Sequence, residues 1–197
     1  MKKISTLRIK AKFFSISLIN VHAPTEDKDE EVKDEFYGQL EAVYDSIPSN
    51  DIKIVLGDFN AKLGQEESYR PFLGRHSLHE ISNENGMRMI DFAISKNMSI
   101  RSTQFPHKNI HKETWRTPDG LRENQIDHVM IDFRHASDIC DVKSCRGADG
   151  DSDHNLVRIM YRQRISLNKR KLGTVEKKWN IEKLKLDEKC RENISRK

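Results

Sequence analysis

The stretch Ile54-Val-Leu-Gly-Asp-Phe-Asn-Ala-Lys-Leu-Gly64 decides the fold. Ile52-Lys53-Ile54-Val55 reads as a strand that Leu56 closes, and Gly57, Asp58, Phe59 and Asn60 follow at once. A carboxylate and a carboxamide two residues apart, where an apolar strand emerges into a turn, have two readings. They form an Asx turn, or they face a ligand at the mouth of a sheet.

The neighbouring segments read as further elements of an α/β chain. Leu7-Arg8-Ile9 and Phe13 to Val21 are expected to be paired strands, with Phe14, Ile16 and Leu18 on one face and Ile19 and Val21 on the other. Val32, Phe36, Leu40, Val43, Tyr44 and Ile47 recur at helical spacing until Pro48 stops the helix. Residues 61–83 read as a long loop. Met87, Ile90, Phe92, Ala93 and Ile94 mark a second amphipathic helix with Asn85-Gly86 near its entrance. Pro118-Asp119-Gly120 is turn chemistry, so Thr114-Trp115-Arg116 and Ile126 to Ile131 are expected to form a hairpin around it. A polar loop at 147–152 leads to a last strand, Leu156 to Tyr161, and no internal repeat is found.

Composition divides the chain. Hydrophobic residues make up 36% and charged residues 34%, against about 25% charged in average chains, so part of it is expected to be solvated. Residues 168–197 carry eleven Lys/Arg against five Asp/Glu, a net of +6, which leaves −2 for the rest of the +4 total. The predicted boundary is near 166, separating a domain over 1–166 from a basic, helical tail or linker over 167–197. Trp179 to Glu192 carries the mixed-charge helical pattern. Such a tail attracts polyanions or is simply a solvated helix. No apolar run approaches about 18 residues, so no membrane partner is expected. MKKISTLRIKAK begins like a signal peptide, but FFSISLINVHAP alternates with polar residues and reads as a strand. Cys140, Cys145 and Cys190 form no CxxC and no even framework, which points to a reduced, intracellular compartment.

Four pieces carry the chemistry: Asn20-Val21-His22-Ala23-Pro24, Gly57-Asp58-Phe59-Asn60, Asn124-Gln125-Ile126-Asp127-His128 and Ser152-Asp153-His154. Each adjoins an apolar strand, where side chains at strand ends can converge. Taken singly each has a bland reading. His22 is a surface histidine, Asp127 a buried ion-paired carboxylate, Trp115 a core residue, and Ser-Asp-His a loop. Together they supply the groups that orient water and stabilise a phosphoryl group.

NVHAPTE, VLGDFN, TW, NQIDH and SDHN, in that order, resemble the endonuclease/exonuclease/phosphatase superfamily over about residues 5–163. NVHAPTE, ETWRTPDG and NQIDHVMID are most similar to the endonuclease domains of non-LTR retrotransposons and to host proteins derived from them. The resemblance implies a deoxyribonuclease-like α/β sandwich of two packed mixed β-sheets flanked by helices, and Mg²⁺- or Mn²⁺-dependent phosphodiester cleavage with DNA as partner. Asp58 would orient or deprotonate the attacking water, and Asn60 would bind that water and the phosphate. His154 would contact the phosphate, Asp127 would fix and charge His154, and His22 would contact the phosphate or protonate the leaving group. Asp153 would lie near the metal, with Asn20, Thr114 and Trp115 near the substrate. Gln125 stands where many relatives carry Arg. The family's principal metal ligands, an Asn and a Glu on earlier strands, would precede Asn20, where Met1 to Lys12 hold no Asp, Glu or Asn. The expectation is a domain missing its first strands and helices. It would be weakly active or inactive, with Phe13, Phe14, Ile16 and Leu18 partly uncovered and prone to self-association. The alternatives are a non-catalytic remnant that binds nucleic acid or protein, and a phosphatase for small or lipid phosphates. A nuclear location suits a DNA-cleaving relative, for which Lys169-Arg170-Lys171 is a weak basic cluster.

Overall fold

The computed structural model describes residues 3–11, 13–117, 119–147 and 152–163. Nine strands and two α-helices follow in the order β1 (Ile4–Ile9), β2 (Ile16–His22), α1 (Glu30–Ser46), β3 (Ile52–Asp58), α2 (Glu84–Ser95), β4 (Met98–Ile100), β5 (Trp115–Arg116), β6 (Glu123–Asn124), β7 (Asp127–Asp132), β8 (Ile139–Cys145) and β9 (Leu156–Tyr161).

The central sheet runs β1-β2-β3-β7-β4. It is mixed: β2 and β3 are parallel, and the other pairs are antiparallel. β3 lies at its centre, which explains why its residues 52–55 are buried and read as a continuous run rather than an alternation. Side chains of a strand point alternately to the two faces. Val55 therefore joins Ile19, Val21 and Met130 on one face. Ile52 and Ile54 join Val129 and Ile131 on the other.

The first face is covered by helices. Phe36, Leu40 and Tyr44 recur every four residues along α1 and are buried against the sheet. α2 adds Met89, Ile90, Phe92 and Ala93. Its start is capped by Asn83, whose side chain accepts from Gly86 N at 2.8 Å. The two helices are joined on the outside by Arg88, which pairs with Glu30 and Asp34, and by Lys96, which pairs with Glu41 and Asp45.

The second face is covered by a two-stranded antiparallel sheet, β8-β9, through Ile139, Val142, Val157, Ile159 and Tyr161. The result is the expected α/β sandwich. Phe13 and Phe14 are 53% and 41% exposed, and Ile16 and Leu18 pack only partly against the second core, as expected for this end of the sheet.

Two local expectations change. β5 pairs with β6 in a hairpin, not with residues 126–131. Those residues instead form β7 between β3 and β4, because Val129, Met130 and Ile131 are apolar on both faces and need cover on both. β4 and β8 had no signal: β4 has only three residues, and β8 is broken by a register shift between Ile139 and Asp141. The boundary near 166 and the helical pattern of 179–192 lie outside the described residues. Among the described residues, no helix is long and apolar enough to cross a membrane.

Candidate active site

Strand parity brings the site together. His22 ends β2, Asp58 ends β3 and Asp127 begins β7; His22 is in register with Asp58, and Asp58 with Asp127. Register neighbours point to the same side of a sheet. These three side chains therefore extend the face that the second sheet covers, just past its apolar part.

Asp58 and Asn60 form the Asx turn and also line a cleft. Asn60 N donates to Asp58 Oδ1 at 2.8 Å, which is the Asx turn. Asn60 Nδ2 also donates to Ala23 O at 2.9 Å and lies 3.3 Å from Asp58 Oδ2, while both residues line one cleft. Asn60 has φ 48°, a left-handed conformation that Asn tolerates better than most residues. Buried Asn85 braces this turn, since its Nδ2 donates to both Asn60 O and Pro24 O at 3.0 Å.

The opposite wall comes from the β5-β6 hairpin and the loop before β9. His154 Nδ1 lies 3.0 Å from Asp127 Oδ2. Because the carboxylate only accepts, this nitrogen carries the proton, and Nε2 is left toward the cleft. Trp115 bridges to His154 through backbone pairing, lines the cleft, and donates from Nε1 to Asp153 Oδ2 at 2.7 Å. His22 Nδ1 stands 3.2 Å from Asp58 Oδ2. The cleft has a volume of about 570 Å³, and His22, Asp58, Asn60, Trp115, Asn124 and His154 are among its lining residues.

Electrostatics separate the two sides. Burial is the largest influence on Asp58 and raises its pKa. The Asn60 N–H opposes the shift, and the Asp127 charge adds to it. The hydrogen bond from His154 to Asp127 is the largest influence on His154 and raises its pKa against partial burial, with the Asp58 and Asp153 charges helping. A carboxylate made more basic thus faces a histidine held toward its charged form, a pairing suited to general-base and anion-stabilising roles.

Not every expected residue lines the cleft. Asn20 is exposed two residues before His22 and is not among its lining residues. Thr114 is 3% exposed, and its Oγ1 accepts from Ile126 N and Asp127 N at 3.0 Å, so it positions Asp127 from behind. Gln125 is buried; its Oε1 accepts from Leu78 N and its Nε2 donates to Ser102 O. Lys62 and Asn124 also line the cleft. Asn124 belongs to the NQIDH piece but carries no role in the sequence reading, and the only signal for Lys62 is its adjacency to Asp58-Phe59-Asn60.

His128 follows Asp127 but points to the helix face. It is 1% exposed, and its Nε2–H donates to Ala61 O at 2.8 Å while Nδ1 accepts from Ser102 Oγ at 2.9 Å. Burial pushes its pKa down to about 4. Its contribution to stability is present above about pH 6.5 and is lost as pH falls through about 4, because the unfolded chain takes up the proton first. Between pH 7 and 4 the parent is expected to lose more stability than a His128→Gln variant, by up to roughly 3 kcal/mol. Denaturant titrations at the two pH values measure it; equal losses would remove His128 from this role.

The metal implied by the resemblance fares less well. Among the described residues, no group of three or more His, Cys, Asp or Glu is placed to hold a metal ion. Asp153, expected near the metal, receives the Trp115 indole instead. Asp127 is engaged by His154, and Asp58 by Asn60 and His22. These donors do not make a resident octahedral oxygen site.

Comparison with known proteins bears on the fold. No family model matches the chain. Craniofacial development protein 2 from Tragulus javanicus is 33% identical over 165 residues, and its Bos taurus counterpart 32%; each alignment covers 84% of this chain. The chain spans 28% of the length of these curated relatives. Among solved structures, the endonuclease domain of TRAS1, a telomere-specific non-LTR retrotransposon, matches at TM-score 0.56 and 16% identity, over 81% of this chain and 62% of that one. AP endonuclease LMAP from Leishmania major matches at 0.53 and 14%, over 82% and 55%. An endonuclease/exonuclease/phosphatase family protein from Leptotrichia buccalis matches at 0.53 and 12%, over 81% and 54%. The chain has the fold of the endonuclease/exonuclease/phosphatase family, and over most of its length its sequence resembles craniofacial development protein 2.

Proposed function

We propose that this cleft is a phosphodiester-cleaving site of the retrotransposon-endonuclease type, acting on DNA. The observation that carries the reading is that His154, paired with Asp127, lines one cleft with the Asp58-Asn60 turn. Asp58 takes the proton of a water that the Asn60 carboxamide orients. The water oxygen bonds to phosphorus, and the bond to the departing sugar oxygen breaks. His154 offsets the charge that gathers on the phosphoryl oxygens. His22, beside Asp58 and 65% exposed at its side chain, protonates the departing oxygen in this reading.

Because the described donors fall short of a metal set, cleavage by this chain alone is expected to be slow. The same observation favours a second reading, a nucleic-acid-binding domain without catalysis. Incubation with supercoiled plasmid and Mg²⁺ separates them. Slow nicking that disappears in both Asp58→Ala and His154→Ala supports catalysis. DNA binding without nicking by the parent leaves the second reading. The edge strand β1 exposes Leu7 and Ile9, at 60% and 43%, beside exposed Phe14, which supports the expectation that copies self-associate there. Sedimentation over a range of concentrations tests it.

A further inference from the structure

The wall of the cleft holds one aliphatic cation, and neither the mechanism above nor any motif uses it. Lys62 is two residues past Asn60 and is half-buried. Its backbone is fixed at both ends to one side chain and its residue: Lys62 N donates to Asn83 Oδ1 at 2.9 Å, and Asn83 N donates to Lys62 O at 3.0 Å. Asn83 in turn caps α2, and Gly86 of that helix approaches so closely that a Cβ there would lie 2.2 Å from Lys62 O. The ammonium is thus carried on a rigid base beside Asp58 and Asn60.

Among the described residues, Lys62 is the only Lys or Arg lining this cleft. Among the described residues, no carboxylate forms an ion pair with it. Glu26, the one acidic neighbour in the wall besides Asp58, has both oxygens engaged by Asn83 Nδ2, Glu84 N and Asn85 N. By contrast Lys33 and Lys96, on the helix face, are each held by two carboxylates. A half-buried cation with no ion-pair partner among the described residues, in a cleft also lined by Trp115 and His154, is suited to a polyanion that enters from solution.

We propose that Lys62 is a positioning residue that holds a backbone phosphate of the nucleic-acid strand beside the one Asp58 and His154 act on. This rests on the functional reading above. Trp115 and Asn124 form the facing wall, where a base or sugar of the same strand fits.

Metal-free fluorescence anisotropy with a labelled duplex DNA across a salt series tests the assignment. Each phosphate contact adds about 0.9 to the slope of log affinity against log salt. Lys62→Gln is expected to lower that slope by about one and to weaken binding about tenfold at about 0.1 M salt, whereas Lys62→Arg keeps the parent slope. Lys10→Gln removes the same charge at the opposite end of β1 and leaves the slope unchanged. Equal slopes for parent and Lys62→Gln overturn the proposal while leaving the functional reading in place, as does an equal effect of Lys10→Gln. A parent that binds no DNA overturns both. Loss of slope with an unchanged melting temperature is the supporting result.

Discussion

Gly57→Ala is expected to destabilise the domain by about 3–5 kcal/mol, lowering its melting temperature by roughly 10–15 °C. Gly57 has φ +134°, a conformation that L-residues rarely adopt. It also lies in register with Val21 on the parallel neighbour, and a Cβ at Gly57 would meet Val21 O at 2.1 Å and Val21 N at 2.9 Å. Those atoms belong to the backbone of a central strand, so no rotamer change relieves the contact. β2 and β3 would have to separate, and His22 and Asp58 would separate with them. Gly38→Ala is the matching control. Gly38 lies inside α1 with open space around it, so alanine there is expected to stabilise by about 0.5–1 kcal/mol. Thermal unfolding of the two variants reads opposite signs. A Gly57→Ala protein as stable as the parent would show that the strands do not approach this closely.

Asp127→Asn is expected to bring the His154 pKa down toward its ordinary value and to slow any cleavage by about 100-fold or more. The hydrogen bond to Asp127 is the largest cause of the upward shift, and the Asp127 charge contributes as well. The amide can still accept from Nδ1, so the ring stays placed while the charge that favours imidazolium is gone. At neutral pH a smaller fraction of His154 is charged, and the alkaline limb of the rate profile moves to lower pH. Stability shifts with it. A histidine whose pKa is raised by folding stabilises the native state below its ordinary value of 6.5 and stops doing so as pH rises through the folded value. Asp127→Asn flattens that dependence. NMR titration of the His154 ring gives the pKa without relying on turnover; an unchanged value would mean that Asp127 does not tune this histidine.

Most of the scaffold could be read from local pattern. α1 and α2 announce themselves through apolar residues at helical spacing, and β3 through an apolar run interrupted only by Lys53 and bounded by turns. β4 and β8 carried no such signal. Three residues cannot establish a period, and a bulge shifts the alternation of β8 by one. The hairpin was misassigned because turn chemistry names a turn but not its second arm; that arm was decided by which segment needed two covered faces.

The site divides along the same line. Residue chemistry and order alone picked out His22, Asp58, Asn60, Asp127 and His154, since few chemistries need that set beside strand ends. Tertiary structure decided their partners. Strand register set His22, Asp58 and Asp127 side by side, and the β5-β6 hairpin carried Trp115 to His154. It also separated residues that are adjacent in sequence. Asp127 pairs with His154 of the cleft wall, whereas His128 is turned by the pleat into the core beneath it. Lys62 gained its standing only from its surroundings, because whether a lysine is paired or free depends on carboxylates remote in sequence. Sequence determined which groups are available; the sheet, by alternating faces and fixing register, determined which of them meet.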